Sequence, residues 1–109
     1  MGVYAPGYSQ PKQDQELLNF VGSGTFVSTV TGAIAANTTG IDTFTLLGAA
    51  LGDQVTATSS VDPQGIVLAG AVSAPNTVKV YHSNVSAGGI TVGVHNIILF
   101  VQRVTPGYQ

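Results

Sequence analysis

The sequence predicts an all-β fold, a small β-sandwich (jelly-roll-like) or barrel of about seven short strands with an extended N-terminal arm. Three observations carry this. Short apolar-rich segments alternate with a period of two. Turn residues punctuate them every eight to twelve positions. Past residue 22 no stretch holds the i, i+3, i+4 apolar spacing of a packed helix.

Residues 1–22 read as the arm and residues 23–109 as the β-domain. The opening MGVYAPGYSQPKQDQ is rich in Pro, Gly, Gln and Tyr and has little to bury. Pro11, with the acids that follow it, is placed to open one or two helical turns. Tyr4, Tyr8, Leu17, Leu18 and Phe20 are then the side chains expected to anchor the arm on a partner.

Strand candidates follow in order. Gly24 to Thr31 carries Phe26, Val27 and Val30, and Ala33 to Gly40 reads as a loop or weak edge. Ile41 to Leu47 puts Phe44 and Leu46 on one face. Gln54 to Ser60, Ile66 to Ser73 and Thr77 to Ser83 read as a three-stranded meander. Its first turn is Val61-Asp62-Pro63-Gln64-Gly65, where Pro63 cannot donate to a ladder and Gly65 accepts unusual dihedrals. Its second is Ala74-Pro75-Asn76. In the last of these strands Val78, Val80 and His82 share a face, with Lys79 and Tyr81 opposite. Val85 to Gly89 is a Gly-rich turn, and Ile90 to Val94 and Asn96 to Val104 close the chain. Ile97, Leu99, Phe100 and Val101 lie in a run that is apolar on both faces, which suits a strand in the middle of the core or at a subunit interface.

At 109 residues the chain is one domain. A chain of this size buries roughly 65% of its unfolded surface, enough for a thin core. Charged residues make up 7% of the sequence, against about 25% in ordinary domains. Lys12, Asp14 and Glu16 crowd into one segment, and from Leu17 onward the charges are Asp42, Asp53, Asp62, Lys79 and Arg103. A surface so poor in charge is expected to be hidden in an assembly. Three basic residues and a net charge of −2 leave no basic patch, so nucleic acid is not an expected partner. The longest apolar run, Ile66 to Val72, is a strand's length, and no membrane is expected either. Without Cys there is no disulfide and no thiolate metal ligand. The N-terminus lacks a basic segment followed by an apolar one, so no secretory signal is expected.

Candidate chemistry is sparse. Catalysis by paired carboxylates would have to use Asp42, Asp53 or Asp62. Asp53 and Asp62 both stand where Asp caps turn amides. No spacing of oxygen ligands suggests a Ca²⁺ loop. His82 and His95 are the two histidines, and a zinc site would need both plus an Asp, or one His repeated about a trimer axis. The plainer reading is a sheet histidine bonded to backbone or water. Ala87-Gly88-Gly89 lacks the GK[ST] and the helix of a phosphate loop. Tyr81 and Tyr108 read with Tyr4 and Tyr8 as packing or interface residues. The expectation is therefore no cofactor, no metal and no enzyme activity.

One resemblance adds to this. Gly52-Asp53, Val55-Thr56-Ala57-Thr58, Gln64-Gly65-Ile66, Val72-Ser73-Ala74, Asn76-Thr77-Val78 and Asn84 resemble a small β-domain common in tailed-bacteriophage structural proteins. Ala87-Gly88-Gly89-Ile90 and Ile97 to Val104 fill the places of its Gly-rich turn and final strand, although that strand usually alternates Arg or Lys and here holds Arg103 alone. The match covers residues 40–104 and consists of turn and strand residues. It implies a virion protein, a homotrimer of the capsid decoration (cement) type, bound to the major capsid protein on the capsid surface. The alternative it implies is a head-fibre or tail-fibre module that binds host glycans.

Overall fold

A computed structural model describes residues 16–106, with side chains over residues 19–104. Tyr4, Tyr8 and Tyr108 lie outside the described residues, and Leu17 and Leu18 are described by their backbone. Six strands run in chain order: β1 Glu16–Val27, β2 Thr38–Thr45, β3 Gln54–Ser59, β4 Val67–Ala74, β5 Thr77–Asn84 and β6 Asn96–Pro106. They form two antiparallel sheets of three strands, ordered β1-β6-β3 and β2-β5-β4. No helix occurs among the described residues.

The two sheets share one core. The apolar residues with no exposure, Val78 and Val80 on β5 and Ile97, Leu99 and Val101 on β6, all lie on the central strand of a sheet. Fully burying one such side chain contributes on the order of 1.5–3 kcal/mol. Phe44, Leu46, Ala49 and Val72 complete the core cluster. Phe26 of β1 stacks on Phe44 of β2 with ring centroids 4.8 Å apart, which joins the sheets on one side. On the other side β3 lies against β4 at Gly70, where an added Cβ would overlap the side chain of Val55.

The turns follow their residues. Ile66 donates its N–H to the Pro63 carbonyl across 2.9 Å, with Gln64 and Gly65 between them at φ 56° and 94°. Two successive left-handed residues make a type I′ geometry, and Gly65 adopts it without a steric penalty. Asp62 Oδ1 accepts from the Gln64 amide at 2.9 Å, the turn role expected of it. Asn76, at φ 62°, closes the β4–β5 hairpin and accepts from the Gly48 amide on its side-chain oxygen at 2.8 Å.

Several expectations are corrected. Among the described residues six strands stand where about seven were expected, because Ile90 to Val94 makes a single bridge, Ile34 to Ile90, and no strand. Gly93 at φ 83° turns the chain away before β6. The meander is split: β3 pairs with β6, while β4 and β5 form a hairpin in the other sheet. Residues 16–22, expected in the arm, belong to β1, and the helical turn expected over them is strand instead. The physical reason is β6, which offers a partner from Glu16↔Pro106 to Val27↔Asn96 and outweighs the weak local preference of a Gly-rich stretch.

Candidate functional site

Two places are unusual for a domain this small: the outer face of the first sheet and a buried polar cluster between the sheets.

The outer face follows from register. Ile98 stands between Thr25 and Thr58, Phe100 between Ser23 and Thr56, and Gln102 between Phe20 and Gln54. A bulge between Phe20 and Gly22 inserts Val21, so that Phe20 stays on the same face as Ser23 and Thr25. Phe20 and Phe100 meet with ring centroids 5.2 Å apart. They are nevertheless 62% and 40% exposed, and Ile98 is 44% exposed. Val27 and Val104 extend the apolar stripe towards the two ends. Between Phe20 and Val27, with the facing positions of β6 and β3, no charged residue interrupts it. A contiguous apolar stripe rimmed by Thr, Ser and Gln is the composition of a contact surface.

The polar cluster is built from both sheets. Asp42 and His82 are each 1% exposed, and Ser28 and His95 are also buried. Ser28 Oγ donates to Asp42 Oδ2 at 2.6 Å, and the Thr29 amide and hydroxyl donate to Oδ1 at 2.7 and 2.6 Å. Burial disfavours the carboxylate, but these hydrogen bonds from Ser28 and Thr29, helped by nearby His82, outweigh it and hold the Asp42 pKa below its usual value. His82 Nε2 lies 3.6 Å from Asp42 Oδ2 and 3.3 Å from His95 Nε2. His95 Nδ1 is 2.6 Å from the Gly93 carbonyl, which can only accept. The network thus assigns the His95 proton to Nδ1, leaves its Nε2 as acceptor and makes His82 Nε2 the donor. His82 Nδ1 is then an unprotonated nitrogen, buried with no hydrogen-bond partner.

The remaining polar groups are structural. Asn84, also buried, donates to the Ile34 and Gly88 carbonyls at 2.7 and 2.8 Å and accepts from the Ser86 amide and hydroxyl at 2.9 and 2.6 Å. It thereby fixes the irregular segment after β5. Arg103 makes a bidentate contact with Asp53 at 2.8 and 2.9 Å, and Asp53 also accepts from the Ala50 amide at 2.9 Å. The Asp53 carboxyl is held below its usual range chiefly by the Arg103 hydrogen bond. A shallow depression of about 350 Å³ opens beside Thr29, Val30, Thr38 and Thr39.

Of the residues singled out in the sequence, Ile97, Leu99 and Val101 are core, but Phe100 points outward, so β6 is buried on one face only. Phe20 sits on β1 beside it rather than on a free arm. Leu17 and Leu18 pair with Thr105 and Val104 in the β1–β6 ladder. His82, His95 and Asp42 do come together, yet their facing atoms are engaged with one another. Among the described residues no group of three such side chains is arranged to hold a metal ion. Ser28 donates to the carboxylate of Asp42, whose pKa is held low, so its partner is a weak base for activating a nucleophile. The cluster itself was missed in the sequence, although its signal was there: Asp42 lies in the same alternation as Phe44 and Leu46, and so faces inward with them. No family model, curated protein or solved structure matches the chain.

Proposed function

We propose that the chain is a non-enzymatic structural protein of the virion, a capsid decoration (cement) protein that trimerises and binds the major capsid protein on the outer surface of the shell. The observation that carries the reading is the uncharged apolar face of β1 and β6, with Phe20, Ile98 and Phe100 exposed on it. Such a face gains stability by being covered, and in a chain with 7% charged residues little else on the surface opposes close association. The resemblance of residues 40–104 to the tailed-phage β-domain gives the setting. On this reading the two sheets are a reduced, jelly-roll-like sandwich. Residues 1–15, with Tyr4 and Tyr8, clamp neighbouring capsid subunits, and three such segments on one trimer raise the effective concentration of weak single contacts.

The test is removal of residues 1–15, a cut that leaves the β1–β6 ladder whole. The truncated protein should keep its sheets and its oligomeric state and fail to decorate particles in a sedimentation assay. Normal decoration by the truncated protein would refute the clamp.

The fibre alternative would place a glycan in the depression beside Thr29, Thr38 and Thr39, whose hydroxyls suit sugar contacts. That lining holds no aromatic ring on which a sugar could stack, and glycan-array binding lost on Thr38→Ala would be needed to prefer it.

A further inference from the structure

We propose that Asp42, His82, His95 and Ser28 form a proton-operated latch that ties the two sheets together at neutral pH and opens in mild acid. The inference is independent of the capsid reading. Asp42 and His82 stand on β2 and β5 of the second sheet, whereas Ser28 follows β1 and His95 precedes β6 in the first. The Ser28–Asp42 bond at 2.6 Å and the His82–His95 bond at 3.3 Å therefore both cross from one sheet to the other. Ser28 N–H also donates to the His95 carbonyl at 3.0 Å, which couples the two crossings.

His82 is a poor place for an added proton. On His82 Nδ1, which makes no hydrogen bond here, it would create a buried charged N–H for which the Val80 backbone is a weak acceptor. The groups that bear electrostatically on His82 are Asp42 from β2 and His95 from the segment before β6. Its register neighbours, Gly40 on β2 and Leu68 on β4, carry no charge. Burial penalises the imidazolium most, the Asp42 charge opposes that penalty, His95 adds to it, and the Val80 backbone slightly offsets it. The result is a His82 pKa below the ordinary 6.5. Above pH 6.5 His82 is neutral in both the folded and the unfolded state. Below it the unfolded chain takes up a proton that the latched form refuses, so acid favours opening by up to about tenfold per pH unit.

The experiment is urea unfolding of the full chain from about pH 7.5 to about pH 5. The wild-type unfolding constant should rise below pH 6.5, by up to about tenfold per unit. In His82→Gln the rise should flatten, because the amide can still donate to His95 but does not titrate. Imidazole nitrogen NMR of the wild-type protein gives a readout that needs no variant: at neutral pH His82 should carry its proton on Nε2 and His95 on Nδ1. Three results would overturn the latch: an undiminished slope in a folded His82→Gln protein, proton uptake by His82 with the amide spectrum of both sheets unchanged, or a rise in Tm on adding Zn²⁺ alone, which would mean that the two imidazoles share an ion and not a proton.

Discussion

Asn84→Ala should destabilise the domain by about 2–3 kcal/mol, because it removes the donor serving two carbonyls and the acceptor of the Ser86 amide in a buried setting. Urea denaturation checks this, and an unchanged m-value would show that the loss is one of stability alone. The role of Asn84 was only partly legible in the sequence. Alternation through Val78, Val80 and His82 puts Asn84 on the inward face, but its partners at Ile34 and Gly88 are brought to it by the fold. The same holds at Asp42, whose inward direction is written in its own strand, while Ser28 and Thr29 reach it across gaps of 14 and 13 positions.

At the scale of the strands, legibility depended on local contrast. β2, β3, β4 and β5 have clear alternation and Pro, Gly or Asn turns at their ends, and the sequence places them within a few residues of where they stand. β1 was legible only from Gly24 on, since Gly22-Ser23-Gly24 has weak strand preference and the residues from Glu16 to Val21 read as arm; pairing with distant β6 makes them extended. The sheet to which each strand belongs was likewise not legible, and β3 and β4 part company across a short turn. Their packing gives a prediction: Gly70→Ala should cost about 1–3 kcal/mol by forcing a Cβ into Val55. Adding Val55→Ala should recover part of that loss, a non-additivity that a double-mutant cycle on the unfolding free energies would measure.

For the whole molecule, the proposed trimer through the β1–β6 face predicts that the Phe20→Ser, Phe100→Ser double variant remains folded and sediments as a monomer where the wild type does not, as sedimentation velocity would show. Both rings are substantially exposed in the isolated chain, so folding has little invested in them. Oligomers that persisted unchanged would place the subunit contact on another surface.

The topology also bears on the order in which the molecule can be made. Among the described residues β6 is the neighbour of both β1 and β3 in the first sheet, and it follows the other five strands in sequence. A ribosome releases β1 and β3 well before β6. Until β6 emerges, two strands of this sheet wait without their partner, while the β4–β5 hairpin closes locally as soon as it emerges. The second sheet is complete once β5 has emerged; the first is closed by a single later event, and β1 and β3 stay open to strangers until it happens.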